Sequence, residues 1–576
     1  MGARHWLAGA VPASLLVACL ASPMPVSAPA RFTATTSPPT FTPETTFTAL
    51  ARTPTAVSAA LPTSGPLPAL TLDQKIGLLL LAGINGAELT RETRALISEV
   101  HVGGVVLRGR NVRDAAQLAR LITDLQAVAA ESGQGPLFVA MDQEGGDVSR
   151  LQQGVTHFPS PMALGAAGDP ALAYQVGFAT AGELLVLGVN VNLAPSLDVL
   201  TNPDNAVISL RSFGSDPARV AQLGLAFVRG TLDAGAIPVA KHYPGHGSTS
   251  TDSHAGLPQI ETLDTAPFEA AMAEGAPVVM VGHLWASSLD PAPRPASLSP
   301  NLIFSLRQKF EGVILTDSLN MGAISNQHTA PEAAVLALQA GADWLLVAEP
   351  GDVPATLQAI RAAIARGELS PERLDASVRR LLALRTRLSA GHPAPDLAAN
   401  HTLAQQVAQR ALALTCASAE ACAQLPIPPS VQKILLLAPS RLPSADAGEN
   451  HFTYLAQLVS AHGHRVTELL YDLDDPARNP DYAAQAGLYA NASDLILFGA
   501  WDAHLQPNSL QAEALRQAQA SGHPVIVLGL HLPFDLPVLR PEIYLATFGD
   551  TRAQMEAIAG ALFGEFEPME SAPRGR

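Results

Sequence analysis

Between Leu70 and Ser389 seven short apolar runs recur: Gly104–Leu107, Leu137–Met141, Val189–Leu193, Ile237–Ala240, Pro277–Val281, Gly312–Thr316 and Asp343–Val347. Most are continuously apolar, which predicts strands buried on both faces, as in a parallel sheet. Amphipathic stretches such as Asp216–Asp233 and Pro331–Ala340 lie between them and are spaced for helices. Seven βα units in roughly 320 residues fit a (β/α)8 barrel with one strand missed or irregular. A doubly wound sheet is the rival architecture. Polar residues follow several runs directly: Asp142, the pair Lys241-His242, His283 and Asp317. In a barrel those positions line the C-terminal mouth, where active sites are built.

The chain then changes character. Pro393 and Pro395 break the pattern at Gly391–Asp396, and a helix is expected around Leu403–Leu414. A second alternating pattern follows, with strands expected at Lys433–Leu437, Val466–Leu469, Asp494–Phe498, Val525–Leu528 and Ile543–Thr547. It predicts a smaller doubly wound α/β sandwich without a Gly-rich phosphate loop. The expected layout is therefore an export segment (1–30), a Pro/Thr/Ser-rich tether (31–67), a catalytic barrel (68–390), a linker with a helix (391–429), the sandwich (430–565) and a structureless tail (566–576).

The first 30 residues are a targeting segment, with Arg4 ahead of the mostly apolar stretch Trp6–Leu20. Two readings stay open. Leu16-Val17-Ala18-Cys19 resembles a lipobox, which would put a lipid on Cys19 and attach the chain to a membrane. Alternatively, Ala28-Pro29-Ala30 fits ordinary cleavage, leaving Arg31 first. Either way the chain is exported, membrane-anchored or periplasmic/extracellular. The tether cannot bury enough apolar surface to fold. It would reach roughly 35 Å as a coil and about 120 Å extended. In an oxidising compartment Cys416 and Cys422 are a disulfide candidate, with two free thiols as the alternative. A net charge of −16 argues against nucleic acid as a partner.

The chemistry concentrates in Lys-His-Tyr-Pro-Gly-His-Gly-Ser-Thr-Ser-Thr-Asp-Ser-His, Lys241 to His254. Asp252 and His254 stand at i and i+2 in a segment too rich in Gly, Pro and Ser for a helix, so both side chains can face the same way. A carboxylate there would fix the imidazole's tautomer and raise its basicity. Asp317, at the end of an apolar run, supplies a second carboxylate held rigidly and partly desolvated. A carboxylate to attack and an imidazole to move a proton suffice for covalent group transfer. His242, His246 and His254 also suggest a metal site. Pro244, Gly245 and Gly247 oppose the helix that would align them, so no metal is expected.

The order of the motifs resembles glycoside hydrolase family 3, and within it the NagZ-like β-N-acetylglucosaminidases in their two-domain form. The resemblance rests on Asp142-Gln143-Glu144-Gly145-Gly146, Ala194-Pro195-Ser196-Leu197-Asp198-Val199, Arg211-Ser212-Phe213-Gly214, the Lys241–His254 stretch and Thr316-Asp317-Ser318-Leu319. Phe548-Gly549-Asp550 resembles the end of two-domain members. It implies Asp317 as nucleophile, His254 as general acid/base with Asp252 orienting it, and Asp142, Arg150, Arg211, Lys241 and His242 as sugar-binding residues. For Arg150 and Arg211 an ion-pair network at the barrel rim is the alternative. Glu144 is implied to be structural, holding its loop through backbone amides. Asp147 stands where many relatives carry a basic or neutral residue. The activity implied is an exported, retaining β-N-acetylglucosaminidase acting on peptidoglycan-derived sugars, without a cofactor. Its rivals are a β-N-acetylglucosaminide phosphorylase, another family 3 β-glycosidase, and an inactive cell-wall-binding lipoprotein.

Overall fold

The computed structural model describes residues 67–388, 392, 394–441, 451–472, 479–505 and 509–570. The export segment, Cys19 and the tether through residue 66 lie outside them. Eight parallel strands form the first sheet: β1 (Leu80–Gly83), β2 (Gly104–Leu107), β3 (Phe138–Met141), β4 (Val191–Asn192), β5 (Ile237–Tyr243), β6 (Val278–Val281), β7 (Val313–Thr316) and β8 (Leu345–Val347). Each neighbours the next in chain order. β8 returns to β1 through the register Leu80↔Leu345, and one bridge, Leu315↔Trp344, joins β7 to β8. The sheet thus closes into the expected (β/α)8 barrel. Its strands are buried throughout, which is why their sequences are continuous apolar runs.

β1 is the strand that sequence periodicity did not resolve. The helix Leu72–Leu78 runs into it through Leu79 with no turn residue between. An unbroken run of leucines carries no period that separates helix from strand. The fourth strand is shorter than its predicted run, and Pro195, three residues beyond its end, cannot donate to a ladder. Asp343, expected to open the last strand, lies before it and accepts from Arg307, Arg380 and Ser377 instead. The helices between strands start on side-chain caps, among them Asp114, Asp216 and Thr329.

The second sheet has seven strands: β9 (Ala413–Cys416), β10 (Lys433–Arg441), β11 (Arg465–Asp472), β12 (Leu495–Ala500), β13 (Val525–Gly529), β14 (Ile543–Ala546) and β15 (Met569–Glu570). Their order is β11-β10-β12-β13-β14-β9-β15. The five expected strands run parallel in a doubly wound arrangement. Two additions correct the expected layout. The helix placed at Leu403–Leu414 spans Leu397–Ala411, and the residues after it form β9, antiparallel to β14. Met569–Glu570, expected in a structureless tail, pairs with β9. Both strands exist only because a distant edge accepts their hydrogen bonds, which local patterning does not reveal. Cys416 and Cys422 form a disulfide linking the end of β9 to the turn Ala419–Cys422. One apolar core, including Phe158, Met162 and Phe213 from the barrel and Phe498, Tyr544 and Phe548 from the sandwich, joins the two sheets' domains.

Candidate active site

A cavity of about 660 Å³ opens at the C-terminal mouth of the barrel. Asp142, Arg150, Arg211, Lys241, His242, His254 and Asp317 all line it. Asp252 does not line it but stands behind His254.

Asp317 follows β7 directly, its amide bonded to the carbonyl of Val281 at 3.0 Å. Its Oδ1 accepts from the Ser318 amide at 2.7 Å. Burial alone would raise its pKa, but the imidazoles of His283 and His242, the Ser318 N–H and the Lys241 ammonium outweigh that and hold it below the ordinary aspartate value. Asp317 is therefore a carboxylate at neutral pH. His283 underlies it: Nε2–H donates to the Ser318 carbonyl at 2.8 Å, and Nδ1 accepts from the Ser297 hydroxyl at 2.7 Å. Burial lowers the pKa of His283, consistent with that neutral tautomer.

The Asp252–His254 pair has the geometry the spacing suggested. Asp252 Oδ1 lies 2.8 Å from His254 Nδ1 and accepts the His254 amide at 2.7 Å. The imidazole's Nε2 is left facing outward from this contact. The side chains are 66% and 47% exposed, so the pair stands at the rim of the cavity, while its backbone is anchored. The amides of Gly322 and Ala323 donate to the carbonyls of His254 and Ser253 at 3.1 and 3.0 Å. The loop carrying the imidazole is thereby docked on the segment that follows Asp317.

On the opposite wall, Lys241 and Arg211 meet Glu144. Lys241 Nζ is 2.7 Å from Asp142 Oδ1 and 2.6 Å from Glu144 Oε1. Arg211 donates twice to Glu144, from Nε and Nη2, each at 2.9 Å. The Glu144 side chain is fully buried. Its burial would raise its pKa, but Arg211 and Lys241 pull it down to about 2. The reading of Glu144 as a backbone-amide anchor is thus corrected: its carboxylate clamps the two cations. Arg211 is part of an ion-pair network and also lines the cavity. Arg150 makes no side-chain hydrogen bond among the described residues, and its Nε is buried. It is the free cation of this wall, close enough to Asp142 to lower that carboxylate's pKa together with Lys241, against the opposing effect of burial.

Asp198 organises the third side. It takes His242 Nδ1 at 2.7 Å, the His246 amide at 2.6 Å and the Ser196 hydroxyl at 2.8 Å. With Nδ1–H committed to Asp198, His242 turns Nε2 toward Arg211 at 3.3 Å. His246 is spent on Thr249 at 2.7 Å and Ser253 at 3.1 Å. The three histidines thus have three different sets of partners. Among the described residues no three His, Cys, Asp or Glu side chains converge on one point. Asp198, His246 and His283 carry roles that sequence reasoning did not assign, although Asp198 lies in a quoted motif and His283 follows a strand.

The profile "Glycosyl hydrolase family 3 N terminal domain" matches residues 71–384. The chain is 35% identical to "Beta-hexosaminidase A" of Pseudoalteromonas piscicida over 334 residues, 52% of this chain and 56% of that protein. It therefore spans little more than half that relative's length. It is also 35% identical to "Beta-hexosaminidase LpqI" of Mycobacterium tuberculosis over 360 residues, 59% of this chain and 90% of that protein. Among solved structures, a glycoside hydrolase family 3 beta-N-acetylglucosaminidase from Paenibacillus sp. str. FPU-7 superposes with a TM-score of 0.81 at 35% identity, covering 88% of this chain and 99% of that one. With the profile spanning the whole barrel and the Mycobacterium relative matched over 90% of its length, the chain is a glycoside hydrolase and belongs to glycosyl hydrolase family 3.

Proposed function

We propose that the chain is a retaining β-N-acetylglucosaminidase that removes terminal N-acetylglucosamine from peptidoglycan-derived sugars. The observation that supports it most is the pairing, in one cavity, of an ionised Asp317 with a His254 whose Nδ1 is held by Asp252. The relatives' β-hexosaminidase names agree with a hexosamine substrate, and the Paenibacillus neighbour is a beta-N-acetylglucosaminidase. Asp317 attacks the anomeric carbon and forms a glycosyl ester. His254, as imidazolium, gives its Nε2 proton to the departing oxygen. It is then neutral, with Nδ1–H still on Asp252 and a lone pair on Nε2. That lone pair takes a proton from water, whose oxygen displaces Asp317 and releases the sugar. Asp142, Lys241, Arg211, His242 and Arg150 supply the hydroxyl-binding wall, with acceptors and donors side by side. No step draws on a cofactor.

A slow fluorinated N-acetylglucosaminide should add one sugar mass to the protein, mapped to Asp317. A label on Glu144, or on no residue, would overturn the assignment. Adding phosphate to the turnover assay separates hydrolysis from phosphorolysis: a sugar phosphate as the product would replace water by phosphate as acceptor. Export and a lipid on Cys19 belong to the same proposal. Membrane partition of the full chain, lost on Cys19→Ser, is the outcome expected; an N-terminus at Arg31 without lipid would refute the anchor.

A further inference from the structure

His531 lies in the sandwich, just beyond β13, yet it reaches the barrel. Its Nε2 is 2.8 Å from Asp147 Oδ2, across 384 residues of sequence, and its Nδ1 is 2.7 Å from Asp502 Oδ2. The Ser209 hydroxyl lies 3.4 Å from Nε2, and the Trp501 ring stacks on the imidazole at 4.4 Å between centroids. The His531 side chain is only 8% exposed. Asp502 and His531 sit beyond the C-terminal ends of the neighbouring strands β12 and β13. That edge of a doubly wound sheet is where ligands usually bind. Here barrel residues occupy it.

The barrel groups that His531 touches belong to the sugar wall. Asp147 is in the turn of the hairpin formed by Gln143–Gly145 and Val148–Ser149, whose first strand begins directly after Asp142 and carries Glu144. Ser209 opens the 3-10 turn Ser209–Arg211 and has a φ of +42°, in the left-handed region that a non-glycine residue adopts only when its surroundings hold it there. Both backbone segments that bring Glu144 and Arg211 together are therefore in contact with one side chain of the other domain.

We propose that His531 is a positioning residue for glycoside binding: as an imidazolium bridging Asp147 and Asp502, it makes the sandwich domain complete the sugar wall of the barrel. This rests on the functional reading above. Two carboxylates face its two ring nitrogens, and only the imidazolium has an N–H for each. A neutral ring would leave one carboxylate without a donor. Burial would lower the pKa of His531, but Asp147 and Asp502 raise it to about 10. A raised folded-state pKa means that the bridge is present at neutral pH and below, and is lost as the pH rises through about 10.

The experiment is steady-state turnover of an aryl N-acetylglucosaminide by the full chain and by His531→Phe, Asp147→Asn and Asp502→Asn, with thermal melting of each. Phe keeps the stack on Trp501 and removes both N–H groups. His531→Phe and Asp147→Asn should raise KM about tenfold while kcat stays within about threefold, since the clamp binds ground state and transition state alike. The wild-type KM should be level through neutral pH and climb through about pH 10, a step that His531→Phe lacks. Unchanged KM in the folded variants would overturn the proposal. So would a loss confined to kcat, or a pH step that survives in His531→Phe. Unfolding of the conservative Asp147→Asn would also overturn it, by showing that the bridge holds the domains rather than the sugar wall. A wild-type chain that does not turn over this glycoside would instead refute the activity.

Discussion

Gly322 offers a way to move the imidazole without touching it. It opens the short helix Gly322–Ser325, and its amide donates to the His254 carbonyl at 3.1 Å. A Cβ on residue 322 would stand 2.3 Å from that carbonyl oxygen and 2.9 Å from its carbon. Real Cβ contacts are essentially never below 3.0 Å, and 3.4 Å is comfortable, so the loop must retreat by roughly 0.7–1.1 Å. Helix formation itself favours Ala over Gly. The segment 251–255 is largely exposed, so the loop rather than the core should yield. Gly322→Ala should thus leave thermal stability nearly unchanged. A displacement of about 1 Å at a catalytic group costs about 10²-fold in rate. The ceiling is set by His254→Ala, expected to lose about 10²–10⁴ in kcat. The assay compares aryl glycosides whose leaving groups need a proton with activated ones that do not. Both variants should lose far more on the former. Wild-type rates in Gly322→Ala, or equal losses on both classes, would refute the claim that this contact sets the position of the acid.

Three further outcomes follow from the charges of the site. Glu144→Ala leaves Arg211 and Lys241 facing each other without their shared carboxylate and should cost about 3–5 kcal/mol in denaturant unfolding; a loss under about 1 kcal/mol would mean that the clamp is not structural. Because the Glu144 pKa is depressed to about 2, its contribution is complete above the ordinary glutamate range and lost as the pH falls toward 2, so Glu144→Gln should flatten the acid limb of the stability profile. Asp252→Asn replaces the carboxylate that holds His254 Nδ1–H by a neutral amide and should slow turnover, most for leaving groups that need a proton; unchanged rates would show that Asp252 serves only the backbone turn.

What the amino-acid order determined by itself is local. A strand buried on both faces must be apolar at consecutive positions, so β2, β3, β5, β6 and β7 could be placed from the sequence, and the polar residues after them with them. Asp252 and His254 are two residues apart, so their contact needs only a turn. The failures are also physical. β1 is hidden because leucines continuous with a helix carry no period, and β9 and β15 because their hydrogen bonds go to a distant edge. The third kind of information exists only when the barrel closes and the sandwich docks. Glu144 and Arg211 are 67 residues apart, Asp142 and Lys241 are 99, and Asp147 and His531 are 384. An isolated carboxylate in a sequence does not declare whether it will cap a loop, clamp two cations or hold an imidazolium. That choice depends on which opposite charge the tertiary fold buries beside it, since a charge taken out of water must be paired.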